Sequence, residues 1–148
     1  MGSLRTFWNQ KMNEETDSPD VTPEPAPSNI GRIEWVDLTV DDAEHIKSFY
    51  CNVVGWKSTD VEMGTYSDFN ISLPETGNTV AGICHARGLN ANMPSQWLLY
   101  VRVADVTLSA AETEQRGGKV LDGPRRMGGS NFCVIEDPAG AVLALISD

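Results

Sequence analysis

Basic residues are scarce in this chain: 11 Lys and Arg stand against 21 Asp and Glu, a net charge of -10. Binding to a phosphate backbone needs clustered cations, and Arg125-Arg126 is the one adjacent basic pair, so no nucleic-acid partner is expected. Cysteine is equally sparse. Cys51, Cys84 and Cys133 stand far apart without a CxxC spacing, and an odd count precludes a fully paired intramolecular framework. Reduced thiols and a cytoplasmic location are the expectation. No apolar run is long enough to span a bilayer, and the amino terminus lacks the short apolar block of a secretory signal, so no membrane partner is expected. Gly117-Gly118 and Gly128-Gly129 read as a helix end and a turn. Neither follows a strand as a nucleotide-phosphate loop does.

What the chain does contain is a repeat. Val40, Asp42 and Gly55 recur 63 positions later as Val103, Asp105 and Gly118, each series opening after an apolar strand and bracketing an amphipathic stretch. A unit of that size buries its open face against a second copy of itself. Residues 1–29 are polar, acidic and proline-bearing, so they read as a disordered or extended arm in which Leu4, Phe7, Trp8 and Met12 are the apolar exceptions. The remainder, 30–148, reads as one domain of two modules, 30–88 and 95–148.

Arg32 to Val40 alternates as a strand, with Ile33, Trp35, Asp37 and Thr39 on one face. Asp41 or Asp42 then caps a helix on which Ala43, Ile46, Phe49, Tyr50 and Val53 recur at helical spacing, and Gly55 ends it. His45 reads as a solvated helix residue. Strands follow at Trp56 to Met63, Tyr66 to Leu73 and Thr79 to His85. The second module repeats the order: a strand at Trp97 to Val103, a helix at Val106 to Arg116, and strands at Lys119 to Leu121, Asn131 to Ile135 and Ala141 to Ile146. Asp137-Pro138-Ala139-Gly140 is a tight turn.

Trp35-Val36-Asp37-Leu38, the Asp42, Phe49-Tyr50 and Gly55-Trp56 series, Val80-Ala81-Gly82-Ile83, and the closing Asp137-Pro138-Ala139-Gly140 with Leu143-Ala144-Leu145 resemble the vicinal oxygen chelate superfamily, the glyoxalase, bleomycin-resistance and dioxygenase group. The resemblance implies an α+β fold in which two βαβββ modules form a curved mixed sheet around a cleft for a small molecule. It also implies pairing or swapping of modules between protomers, so a homodimer stands beside a self-contained domain.

Metal-using members of that group draw His, Glu and Gln ligands from the first and fourth strands of each module, and the ion then polarises substrate oxygens. The corresponding positions here are Trp35 and Leu98 in the first strands, Ala144 in the last strand, and the neighbourhood of Gly82. None of these side chains binds a metal, so the expectation is a ligand set without metal or other cofactor. Trp35 offers an aromatic wall, and Asp37 on the same face offers a carboxylate that binds a cationic group or takes a proton. Tyr66, Leu98, Tyr100 and Ala144 complete the expected ligand-binding set, with Asp37 the one candidate catalytic residue. Arg102, continuing the Leu98 and Tyr100 face, is a candidate ion-pair partner for Asp37. His85, at a strand end, reads as a surface histidine. Three functions remain open: a small-molecule binder, a lyase or isomerase of the glyoxalase kind, and an accessory subunit.

Overall fold

The computed structural model of the chain describes residues 28–148. The arm's Leu4, Phe7, Trp8 and Met12 lie outside the described residues. The chain divides into two compact units, one made of Trp35–Leu99 and the other of 28–34 with Tyr100–Asp148.

The first unit takes most of β1 (Ile33–Val40), then α1 (Ala43–Val54), β2 (Lys57–Glu62), β3 (Ser67–Ser72), β4 (Thr79–His85) and a 3-10 turn at Gly88–Asn90. Its strands lie in the order β2-β3-β4-β1, with β1 and β4 parallel and the other pairs antiparallel. Asp42 starts α1 by accepting from the backbone N–H of His45 at 3.1 Å, which satisfies an amide that the helix itself leaves unpaired. Gly55 stops it at φ 86°, a left-handed angle that costs glycine little. Helix and sheet meet through Leu38, Ala43, Phe69, Ile71, Ala81 and Ile83, with Ile46, Tyr50, Trp56 and Trp97 packed around them. The apolar stripe is narrower than its sequence spacing implies. Phe49 and Val53 are 52% and 65% exposed, because the row that touches the sheet runs Ala43, Ile46, Tyr50 and leaves those two on the helix flank.

In the second unit, β5 (Trp97–Arg102), which enters it at Tyr100, is followed by α2 (Val106–Gln115), β6 (Lys119–Met127), β7 (Ser130–Glu136) and β8 (Val142–Ser147). The order is β5-β8-β7-β6, with β5 and β8 parallel, which repeats the connectivity of the first unit. Asp105 caps α2 by accepting from Thr107 and Leu108 at 2.8 and 3.2 Å. Val106, Ala110, Cys133 and Leu145 form the core beneath the helix. β6 runs six residues past its expected end at Leu121. Register shifts between Val120 and Arg125 absorb Gly123-Pro124, so a sequence that reads as a loop continues as an irregular strand.

Candidate functional site

Strand alternation sends Val36, Leu38 and Val40 of β1 toward α1, and Trp35, Asp37 and Thr39 to the opposite, helix-free face of the first sheet. All three are buried, at 7%, 1% and 2% exposure. The indole Nε1–H of Trp35 donates to Asp37 Oδ2 at 3.2 Å. Opposite Asp37 on β4 is Gly82, and opposite Thr39 is Cys84, so the same face continues across both strands. Alternation adds Asp68 and Asn70 of β3, the latter in register with Gly82. Two buried atoms among these groups, Thr39 Oγ1 and Asp68 Oδ2, have no hydrogen-bond partner among the described residues. Each such atom carries a desolvation penalty of about 1–3 kcal/mol that a matching donor or acceptor removes.

Burial first, and then the charges of Asp37 and Asp68, push the Cys84 thiol well above its ordinary pKa. Burial, followed by the charge of Asp122, pushes Cys133 up to about 11. Neither supplies a thiolate nucleophile at neutral pH. Titration of the native protein with a disulfide reagent should therefore modify half-buried Cys51 and leave Cys84 and Cys133 until the chain unfolds.

The second unit carries the equivalent register, with Tyr100 opposite Ala144 and Arg102 opposite Ile146. Tyr100 is fully buried and stacks on Phe132, ring centroids 5.8 Å apart. Arg102 does not pair with Asp37. It grips Glu34 through Nε and Nη2, the latter at 3.0 Å, and Asp148 through Nη1 at 2.9 Å. The Glu34 hydrogen bonds hold its guanidinium firmly in the charged form. The physical reason is proximity in the ladder: Arg102 exchanges backbone hydrogen bonds with Arg32 and Gly31, which brings the neighbouring Glu34 within reach.

His85 also departs from expectation, because it is buried at 8% exposure. Asp68 Oδ1 accepts from the His85 backbone N–H at 2.8 Å and lies 3.2 Å from ring Nδ1. The rings of Tyr66 and Phe69 flank the imidazole at 5.3 and 6.3 Å. Burial drives the Asp68 carboxyl above its ordinary value of 3.8, against opposing hydrogen bonds from His85 and the charge of Arg87. Folding then favours the protonated form, so the native state holds more protons than the unfolded chain just above pH 3.8, and stability declines as pH climbs through that window. Urea unfolding at stepped pH should show this decline in the wild type and a flatter curve in Asp68→Asn.

Of the residues the sequence singled out, the fold joins Trp35 to Asp37 on one face and Tyr100 to Ala144 across one strand pair. Leu98 is buried at 1% exposure. Tyr66 instead packs against His85, with the Arg87 guanidinium over its ring at 4.6 Å. A separate, mostly apolar hollow of about 280 Å³ lies beside α2, lined by Ser109, Thr113, Arg116, Ile135 and Pro138 among others. It belongs to the helix side of the second unit and contains none of those candidates.

The repeated βαβββ units, each with a parallel pair of first and fourth strands, define the paired-module α+β class. The chain belongs to the Glyoxalase/Bleomycin resistance protein/Dioxygenase superfamily, whose model matches residues 32–145. Among solved structures, a methylmalonyl-CoA epimerase in complex with methylmalonyl-CoA and NH4+ is similar at 18% identity and TM-score 0.48, covering 79% of this chain and 94% of that one. The methylmalonyl-CoA epimerase of Mycobacterium tuberculosis is similar at 16% identity and TM-score 0.47, covering 83% and 91%. A single-residue variant of the Streptomyces coelicolor methylmalonyl-CoA epimerase, in complex with 2-nitronate-propionyl-CoA, is similar at 19% identity and TM-score 0.48, covering 79% and 94%. A search of curated proteins returns no match.

The divalent ion used by metal-dependent members does not fit the side chains at the corresponding positions. The resemblance sets those positions at Trp35, Leu98, Ala144 and the neighbourhood of Gly82; in the ladder Asp37 is opposite Gly82 and Tyr100 opposite Ala144, with Trp35 and Leu98 two residues before Asp37 and Tyr100. An indole, a hydrogen, an isobutyl group and a methyl group offer no lone pair to a hard or borderline cation. Among the described residues, no three His, Cys, Asp or Glu side chains group as a metal site elsewhere.

Proposed function

We propose that the protein binds a small organic molecule against the helix-free face of its first module, without a resident metal. The observation that carries this reading is the buried Trp35–Asp37 couple on the same face as two polar atoms, Thr39 Oγ1 and Asp68 Oδ2, that have no hydrogen-bond partner among the described residues. An indole supplies a flat apolar surface, and a carboxylate in its company attracts a cationic or hydrogen-bond-donating group. A ligand with donors aimed at Thr39 and Asp68 offsets their desolvation, whereas an apolar molecule leaves it in place.

The test is a thermal-shift screen of flat amphipathic compounds, neutral and cationic, run with and without a chelator. Binders should raise the melting temperature equally in both conditions and should quench a fluorescence component that Trp35→Phe removes. A stabilisation that vanishes with chelator would contradict the reading. Asp37, buried at 1% exposure, also favours a second reading, a lyase or isomerase in which this carboxylate takes a proton from the bound molecule. In that case Asp37→Asn abolishes turnover while the melting transition stays cooperative.

A further inference from the structure

The two helices start at equivalent places in the repeat, behind the caps Asp42 and Asp105, yet they cover their sheets unequally. In the first module Ile46 and Tyr50, one helical turn apart, pack against the sheet core. The residues 63 positions later are Ser109 and Thr113. Both line the apolar hollow beside α2 together with Ile135 and Leu145 of the sheet, and Thr113 Oγ1 is already bonded to the Ser109 carbonyl oxygen at 2.8 Å. The hollow lies where the first module has an aliphatic and an aromatic side chain. Since an apolar cavity of about 150 Å³ accepts one benzene ring, about 280 Å³ has room for an indole and an aliphatic neighbour.

The chain carries such a pair outside the described residues. Leu4 and Trp8 repeat the four-residue spacing of Ile46 and Tyr50, aliphatic first and aromatic second, and helical spacing puts Phe7 and Met12 on the same side. Residues 1–12 contain Arg5 and Lys11 but no Asp or Glu, whereas five acidic residues stand in 13–27. The hollow is complementary: Glu112 and Asp137 outnumber Arg116 at its rim, and the C-terminal half of α2 presents the negative end of its dipole. The tether is also long enough. Residues 28–34 belong to the unit that holds the hollow, and there the Gly31 N–H donates to the Arg102 carbonyl at 2.7 Å and the Arg102 N–H to the Arg32 carbonyl at 2.9 Å. The sixteen residues from Asn13 to Ser28 span up to about 50 Å, and a compact unit of this size has a radius of gyration of about 10 Å. Tethering gives an effective concentration on the order of millimolar, so a contact too weak for a free peptide is enough.

We propose that the hollow beside α2 is a docking site for this chain's own amino-terminal segment, Leu4–Met12, with Leu4 and Trp8 entering as the counterparts of Ile46 and Tyr50. The segment docks as an amphipathic helical turn, apolar side inward, and Arg5 and Lys11 stay at the acidic rim. This site shares no residue with the Trp35–Asp37 face, so it stands independently of ligand binding there.

Paramagnetic broadening in the full chain tests it. A nitroxide is placed on Ser3→Cys in a Cys51→Ala background, which leaves Cys84 and Cys133 as the buried native thiols. Amide signals of Ser109, Thr113 and Ile135 should lose most of their intensity, and reduction of the nitroxide should restore it. Trp8→Ala should lower the docking constant at least about tenfold and return most of that intensity. Ser109→Ile with Thr113→Tyr, which fills the hollow as the first module does, should return it as well. Arg5→Glu with Lys11→Glu should return it in part. An isotope-labelled chain without nitroxide, mixed with an unlabelled chain that carries it, should show no broadening. Full intensity at the hollow in the spin-labelled chain, undiminished broadening in Trp8→Ala, or broadening in the mixed sample, which would seat a second copy's segment there, would each overturn the proposal.

Discussion

Trp35→Ala should destabilise the protein by about 3–5 kcal/mol, the range for emptying a large aromatic site in a packed interior. The residue is 7% exposed, and its removal also strips Asp37 of the indole N–H that donates to it. Trp35→Phe separates the two contributions. It keeps most of the ring volume and loses the donor, so its cost should be smaller, about 1–3 kcal/mol for leaving a buried acceptor short of a partner. Urea denaturation of the two variants measures both numbers. Equal losses would mean that the indole N–H dominates and that packing at this position is slack. A loss in Trp35→Ala within the error of the method would remove Trp35 from the structural account altogether.

Arg102→Met should cost about 3 kcal/mol, the lower part of the range for breaking a buried ion pair, because Arg102 and Glu34 keep 14% and 12% of their side-chain surface. The penalty arises from Glu34, which is left mostly buried with no cation to face. Replacing both partners, with Arg102→Met and Glu34→Leu together, should recover most of that loss, since two apolar groups of similar volume need no mutual solvation. The contact with Asp148 contributes little to this balance, because that carboxylate is 90% exposed and water screens it. Chemical denaturation of the two single variants and the double variant completes the cycle. A double variant as unstable as Arg102→Met would show that the loss comes from somewhere other than the stranded Glu34 charge.

The sequence made local structure legible wherever one short-range rule decided it. Asp42 and Gly55 bracket the first helix because a side-chain oxygen and a left-handed angle act within a turn. The period of 2 along β1 put Trp35 and Asp37 on one face, and the fold keeps them there, hydrogen-bonded to each other. The 63-residue offset carried the same reading into the second module. Contacts set by strand register were not legible in this way. His85 meets Asp68 across 17 residues because β3 and β4 run antiparallel, and no periodicity within either strand reports that pairing. Arg102 finds Glu34 across 68 residues for a similar reason, which is why facing direction alone pointed wrongly to Asp37. Phe49 and Val53 illustrate a third limit: helical spacing marks an apolar sector, and the width of the sheet beneath decides how much of it is covered.

The metal-free reading proposed above rests on the resemblance, which sets the ligand positions of metal-using members at Trp35, Leu98, Ala144 and the neighbourhood of Gly82, side chains without a lone pair for a cation. Equilibrium dialysis of the full chain against nickel, zinc, manganese and iron(II), followed by elemental analysis and native mass spectrometry, tests it most directly. The account predicts far less than one metal per chain and a melting temperature that no ion shifts. One ion held per chain, with a melting temperature that rises on loading and drops on chelation, would contradict it.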